Sequence, residues 1–282
     1  MLYQTSFTFE GQSSDDFNIF IGHIGDPGTV TDALYTADIV ESRIPSQIQP
    51  VFFGLDKNKA ITREIILCSD EYLSREKIDE IVAWLTCSKP GYGTLIVDND
   101  ELSDYEFHVI FNQLELVNSG WPIAIQCSVI FDSQWAYLNT PTASFDVVNG
   151  KIITASDIGL DTSVINNDST YAGYIYPKIT LQIPQGVTNF SITNISDNSR
   201  TLEFNFPGSF TTTDGSENMI IEIDCQTKIM KSNCSDVNPY KCLPNKDGYF
   251  YFLRLLRGEN IISFSGTGVC SVDYDTLKGV GL

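Results

Sequence analysis

The sequence predicts a mainly β protein with two domains and one helix. Its 282 residues are more than one ordinary domain needs. Most apolar segments alternate with polar residues, which is the pattern of half-buried β-strands. A polar break near residues 139–142 divides the chain, so we expect one domain at 1–140 and a second at 141–282.

The helix is predicted over about residues 74–88. Its apolar residues recur with the i, i+3, i+4, i+7 spacing of one buried face: Ile78, Ile81, Val82 and Leu85. Ser74 can cap its start, and acidic residues in the first turns suit the positive end of the helix dipole. The run Lys89-Pro90-Gly91 ends it, because proline cannot continue a helix.

Strands flank this helix on both sides. The alternating segments of the first domain are Tyr3–Phe9, Phe17–Ile24, Ile39–Ile44, Ala60–Cys68, Thr94–Val97, a strand that begins at Tyr105, and Ile123–Phe131. One helix with about eight strands fits a closed or half-closed β barrel that carries the helix on its side.

The segment Gly25–Pro50 is the most irregular part of the first domain. It contains the turn signal Asp26-Pro27-Gly28, and prolines interrupt its second half. Two interpretations stay open, an arm that packs on another subunit and an ordinary surface loop. The candidate contact residues of an arm are Asp32, Leu34, Tyr35 and Ile39.

Every recognisable element beyond the break is a strand. Alternating apolar residues occur near Ile179–Ile183, Leu202–Phe206 and Ile221–Cys225. Turn signals such as Pro184-Gln185-Gly186 separate these strands at the intervals typical of a β sandwich. The second domain is therefore predicted to be a sandwich.

The formal net charge of −19 is unevenly distributed. Through residue 140 there are 7 basic and 21 acidic residues, a net charge of −14, and the remainder has 10 and 15, a net charge of −5. Because such a field repels nucleic acid, the sequence disfavours a DNA or RNA binder, although DNA could pass this surface without adhering. It also shows neither a transmembrane span nor a secretory signal.

No motif of known chemistry is found. The chain lacks G-x-S-x-G, H-E-x-x-H and Walker sequences, and it has two histidines, His23 and His108. The run Asp98–Asp104 lacks the glycine and glutamate that an EF-hand requires, so it is predicted to be an acidic hairpin turn. We therefore predict no enzyme, no cofactor and no metal site.

The seven cysteines include no C-x-x-C pair. Reduced, mostly buried thiols are the expected state. A bridge or metal cluster among Cys225, Cys234 and Cys242 stays open as an alternative.

Several segments, taken in order, resemble the distal tail proteins of long-tailed bacteriophages. Three lie in the first half: FTFEGQSSDDFNI, ITREIILCSDEYLSREKIDEIVAWL and TLIVDNDELSDYEFHVIF. Three lie in the second half: YPKITLQI, IIEIDCQTKIM and FLRLLRGENIISFSG. Each is degenerate alone, but their order and spacing cover nearly the whole chain.

The resemblance implies a ring-forming barrel like that of tail-tube proteins, followed by a galectin-like sandwich. It further implies a homohexameric ring in the virion that joins the tail tube to the tip. Such a ring is a hub for tail-tip, fibre and possible receptor-binding proteins. DNA passes through its lumen, for which Asp98, Asp100 and Glu101 are the candidate lining residues.

Rival functions remain. One is a carbohydrate-binding adhesion module, for which the second domain offers Tyr171, Tyr174 and Tyr176. That domain has no histidine, so the sugar-binding histidine of galectins has no counterpart. A tail-tube subunit shares the barrel but has little use for a second domain. A hydrolase needs a nucleophile and a base that the sequence does not show.

Overall fold

The computed structural model describes residues 5–22, 38–42, 49–56, 60–87, 90–118, 122–139, 142–154, 159–244 and 251–279. Backbone packing divides the chain into two compact units. One is Met1–Leu138 with Lys278–Leu282, and the other is Asn139–Leu277. Each unit has its own hydrophobic core.

Within its described residues, the first unit contains strands of 2 to 13 residues and one α-helix. In chain order its elements are β1 (Phe7–Phe9), β2 (Gln12–Ser13), a 3-10 helix (Ser14–Phe17), β3 (Phe20–Gly22), β4 (Asp38–Ser42), β5 (Val51–Asp56), β6 (Ile61–Cys68), α1 (Arg75–Cys87), β7 (Gly93–Val97), β8 (Glu106–Asn118), β9 (Pro122–Phe131) and β10 (Ala136–Asn139). The main sheet runs β2-β1-β7-β8-β9-β6-β3, with β10 beside β8. Its neighbouring strands are antiparallel.

The two ends of this sheet meet. Thr5, just before β1, donates its backbone N–H to the Ile21 carbonyl at 3.3 Å, and the Ile21 N–H donates to the Thr5 carbonyl at 2.9 Å. This bridge joins β3 to the start of the chain, so the sheet closes on itself as a barrel. Thr5, Phe7 and Phe9 are all buried, as their alternation predicted.

Helix α1 is anchored by an aromatic contact. The Trp84 ring stacks on Phe17 with 4.8 Å between ring centres, and its Nε1 donates to the Phe9 carbonyl at 3.2 Å. At the other end, Ser74 Oγ accepts from the Lys77 backbone N–H at 3.2 Å, which confirms the predicted N-cap.

One predicted strand is shorter than expected. The alternation predicted a strand over Phe17–Ile24, but Ser14–Phe17 forms a 3-10 helix and β3 covers only Phe20–Gly22. Between them Asn18 has φ of 49°, the left-handed conformation that ends the helix and that a strand does not continue. Residues 23 and 24 lie outside the described residues.

The regular elements described in the second unit are strands, apart from one 3-10 helix. They are β11 (Ala143–Val148), β12 (Lys151–Ile153), β13 (Gly159–Leu160), β14 (Thr162–Asn167), β15 (Lys178–Ile183), β16 (Asn189–Asn194), β17 (Arg200–Asn205), β18 (Met219–Asp224), β19 (Ile229–Ser232), a 3-10 helix (Pro239–Cys242), β20 (Gly258–Gly266), β21 (Gly268–Asp273) and β22 (Asp275–Lys278). One sheet has the order β13-β12-β11-β21-β15-β18-β19, and a second has the order β14-β20-β16-β17. Residues of both sheets share one core, so this unit is a β sandwich.

Candidate functional site

The first candidate surface is a two-stranded ribbon formed by β4 and β5. Among the described residues these strands pair only with each other. The ladder pairs Val40 with Gly54 and Glu41 with Phe52, so Phe53 is an extra residue and the ribbon has a bulge. Ile39, Phe52 and Phe53 are 63%, 61% and 67% exposed.

This ribbon is unusually apolar for an exposed element. Val40 and Val51 are exposed as well, so apolar side chains lie on both of its faces. An isolated two-stranded hairpin is at best marginally stable in water, because it buries too little apolar surface. Contiguous exposed apolar residues mark a surface that another molecule covers.

The ribbon includes only part of the predicted arm. Ile39 lies on β4 and is exposed, whereas Asp32, Leu34 and Tyr35 lie outside the described residues. The prediction ended the arm at Pro50 and missed β5. A signal for it existed, since an uninterrupted apolar run directly follows Pro50 in the sequence.

The second candidate surface is the acidic turn between β7 and β8. Its exposed carboxylates belong to Asp98, Asp100, Glu101 and Asp104. The Asn99 carbonyl accepts from the N–H groups of Leu102 and Ser103 at 2.9 and 2.8 Å, and its Oδ1 accepts from the Glu101 N–H at 2.9 Å. Since Leu102 is buried, the turn is fixed, and the three predicted carboxylates lie together on it.

The third candidate surface was not predicted and lies on the second unit. Asp197, whose side chain is 4% exposed, accepts from two arginines. Its Oδ2 accepts from Nε of Arg200 and Nε of Arg254, both at 2.7 Å, and its Oδ1 accepts from Nη2 of Arg254 at 3.0 Å. These hydrogen bonds, Arg254 first, lower the pKa of Asp197, so its carboxylate is charged at neutral pH.

Three exposed tyrosines surround this ion pair. The Arg254 guanidinium carbon lies 3.6 Å from the Tyr174 ring centre, and that of Arg200 lies 5.1 Å from the Tyr251 ring centre. Tyr176 is exposed beside them. We call these five residues the Arg–Tyr surface. No local motif could have predicted it, because its members are spread from residue 174 to 254.

Buried asparagines fix the backbone of this surface. Asn260 Oδ1 accepts from the Leu256 N–H at 2.8 Å and from Asn194 Nδ2 at 2.9 Å, and Asn260 Nδ2 donates to the Leu256 carbonyl at 2.8 Å. Asn194 Nδ2 also donates to the Arg254 carbonyl at 2.9 Å. Both asparagines are fully buried, so these bonds fix the segment that carries Arg254.

Of the two histidines, His108 lies within the described residues and makes structural contacts. His108 stacks on Tyr137 with 4.2 Å between ring centres, and its Nδ1 lies 3.1 Å from Asp132 Oδ2. The Tyr137 hydroxyl donates to that same oxygen at 2.8 Å. The histidine is half-buried in this contact.

All seven cysteines are described, and none of them forms a disulfide. Burial raises the pKa of the Cys127 and Cys225 thiols to about 12, so both are protonated at neutral pH. Within the described ranges no three His, Cys, Asp or Glu side chains are grouped so as to hold a metal ion. In the same part of the chain, none of the helices combines the length and apolarity of a membrane span.

The fold and these surfaces define a class: a two-unit β protein whose exposed apolar ribbon is typical of an assembly component. Comparison with protein families agrees with this class. Residues 2–133 match the model of a phage tail protein N-terminal domain, and residues 135–275 match that of a phage tail C-terminal domain. The chain therefore belongs to this family of phage tail proteins.

Two solved structures share the fold. The Dit protein of phage SPP1, presented as a paradigm of the hub adsorption apparatus in phages that infect Gram-positive bacteria, is 8% identical with a TM-score of 0.65. The match covers 97% of this chain and 98% of that one. A chain of the phage P2 baseplate, in its activated conformation with Ca, is 10% identical with a TM-score of 0.50, over 98% of both chains.

These matches confirm the resemblance to phage tail proteins and the mainly β fold. No curated protein matches the sequence. The galectin-like character of the second unit and the absence of enzymatic activity stay predictions.

Proposed function

We propose that this chain forms a homohexameric ring at the phage tail tip, with DNA passing through its centre. The ring joins the tail-tube protein to the tip and serves as the hub for tip, fibre or receptor-binding proteins. The observation that carries this proposal is the exposed apolar ribbon of β4 and β5. Membership of the phage tail family and a fold like that of the SPP1 Dit protein support it.

The ribbon laps onto the neighbouring copy of the ring. Burying one Phe side chain contributes about 1.5–3 kcal/mol, so covering Phe52 and Phe53 at each of several identical contacts favours a closed assembly strongly. Cyclic symmetry suits this arrangement, because one patch on each copy then meets a different patch on the next copy.

Native mass spectrometry of the full chain tests the ring. The wild type is expected as a hexamer, whereas the double variant Phe52→Ser, Phe53→Ser is expected as a monomer. Burying two serine side chains at the contact contributes too little free energy to hold the copies together. Tyr72→Ser is the matched control, since Tyr72 is 66% exposed and lies outside the ribbon. A double variant that remains hexameric would contradict the role of the ribbon, and a monomeric wild type would overturn the ring.

The acidic turn lines or flanks the channel of this ring. Carboxylates at Asp98, Asp100 and Glu101 repel the phosphate backbone, so DNA slides past without adhering. Reversing all three to Lys is expected to slow DNA ejection from assembled particles without preventing assembly.

The control for this test is an equal charge reversal on the second unit. Glu217, Glu222 and Glu259 are exposed there and supply it. Ejection at the wild-type rate from particles with the reversed turn would refute the channel assignment while leaving the ring proposal intact.

A further inference from the structure

We propose that the Arg–Tyr surface of the second unit is a docking site for an acidic segment of a partner protein. This inference does not depend on the proposed ring, because the Arg–Tyr surface contains no residue of the ribbon or of the acidic turn. It rests on three observations. Tyr174, Tyr176 and Arg254 share one outward face, the cluster carries excess positive charge, and Arg254 is held in a fixed position.

Orientation places the tyrosines and Arg254 on one outward face. Ile175 and Leu255 form an isolated bridge, with their N–H groups donating to each other's carbonyl groups at 3.0 and 2.7 Å. Both of these side chains are buried. Because side chains alternate along extended backbone, Tyr174, Tyr176 and Arg254 point outward together. Tyr174 and Tyr176 are 43% and 41% exposed.

The charge of the cluster is not balanced. Two guanidiniums share the single carboxylate of Asp197, and no other carboxylate in the described part of the chain lies within ion-pair distance of either one. Counting the described residues alone, one positive charge is therefore left over. In a chain with a net charge of −19, this is a local positive site on an otherwise acidic molecule.

Arg254 is held in place before any ligand arrives. Asp197 binds it in a bidentate manner, Tyr174 covers one face of its guanidinium, and buried Asn194 holds its backbone carbonyl. A fixed side chain loses little conformational entropy on binding, which is the general advantage of a preorganised site. The hydrogen bonds to Asp197 also raise the pKa of Arg254, so this residue stays charged over the physiological pH range.

The residue types favour a protein over a sugar. Tyr and Arg are enriched among the side chains that dominate protein–protein binding energy. One face of Tyr174 is already occupied by Arg254, which removes a stacking surface that a sugar ring needs. The complementary ligand is a peptide segment that places a carboxylate on Arg254 and packs its backbone beside the tyrosine rings.

The test uses the full chain and a fluorescent peptide of alternating Glu and Gly, with a Gln–Gly peptide as the neutral control. At low salt the Glu–Gly peptide is expected to bind, despite the overall repulsion, and to dissociate as salt is raised. The variant Tyr174→Ser, Tyr176→Ser and the variant Arg254→Lys are each expected to weaken binding about tenfold. Arg254→Lys retains the charge but loses the planar fork.

Matched controls come from the first unit. Tyr72→Ser and Arg75→Gln remove an exposed tyrosine and an exposed arginine, and both are expected to leave binding unchanged. The proposal is overturned if the Glu–Gly peptide binds no better than the Gln–Gly peptide, or if the Tyr174→Ser, Tyr176→Ser variant binds like the wild type. Displacement of the peptide by an oligogalacturonate at lower concentration would reassign the site to an anionic sugar and overturn it as well.

Discussion

The ribbon of the first unit and the Arg–Tyr surface of the second both expose aromatic rings, but the two regions are held differently. Phe52 and Phe53 both lie on β5, which among the described residues pairs only with β4. The exposed tyrosines instead lie over an ion pair whose backbone is fixed by buried asparagines. One region is apolar and its strands pair, within the described ranges, only with each other, and the other is polar and internally hydrogen-bonded.

This difference indicates two kinds of contact. An apolar ribbon gains most when it is permanently covered, which is typical of obligate assemblies with large hydrophobic interfaces. A charged, preorganised surface is already hydrogen-bonded within the free protein and keeps an excess charge, so its contacts are weaker, reversible and sensitive to salt. Substitutions that disturb the ribbon and the Arg–Tyr surface separately can therefore test whether the two regions make different kinds of contact.

The largest expected effect is that of Asn260→Ala, which removes the centre of the asparagine network. It leaves the partly buried Leu256 N–H without its partner and removes one of the two side-chain amides that donate to the Leu256 carbonyl, the other being that of Asn167. We expect a loss of about 3 kcal/mol in the free energy of unfolding of the second unit. Asn205→Ala is the control, because Asn205 is exposed at the end of β17, and it should change stability by less than about 0.5 kcal/mol.

The measurement can separate the two units. All three tryptophans lie in the first 138 residues, so tryptophan fluorescence follows the first unit. Circular dichroism follows both units. Equal destabilisation by Asn260→Ala and Asn205→Ala would show that the network does not support the second unit.

A smaller loss in the free energy of unfolding, about 2 kcal/mol, is expected for Asp197→Asn, because the neutral amide binds the two guanidiniums less well. The control is Asp161→Asn, since the exposed ion pair of Asp161 with Lys151 contributes little. Urea unfolding of the second unit at neutral pH measures both variants.

The pH dependence has a definite sign. Since Arg254 and Arg200 lower the pKa of Asp197 in the folded protein, the stabilisation is fully present above the pKa of an unfolded Asp, about 3.9. It is lost as the pH falls through the lower, folded pKa. The difference in unfolding free energy between wild type and Asp197→Asn should therefore be constant near pH 7 and shrink below about pH 4. A difference that grows in acid would contradict the assigned ion pair.

The sequence predicts local structure well where one pattern dominates. The spacing of Ile81 and Leu85 predicted α1 to within about one residue at each end, because a buried helix face and a proline stop leave little choice. The start of β3 was wrong because Asn18, a residue that tolerates the left-handed conformation, interrupts an otherwise regular alternation.

Surfaces were harder to predict for a physical reason. The acidic turn is contiguous in sequence, so its carboxylates could be named in advance. The Arg–Tyr surface is assembled by the bridge between Ile175 and Leu255, and nothing near either residue specifies the other. Long-range pairing of this kind depends on the whole sandwich and is invisible to periodicity.

The smallest expected effect is on the stability of the first unit in the variant Phe52→Ser, Phe53→Ser. Both rings are already more than half exposed, so removing them reduces the apolar surface buried within one chain only slightly. The free energy of unfolding should therefore change by less than about 0.5 kcal/mol. Tryptophan fluorescence at low protein concentration measures this, because dilution removes the contribution of assembly. If the diluted variant instead unfolds much more easily than the diluted wild type, the ribbon packs within its own chain, and its exposed rings are not reserved for a neighbour.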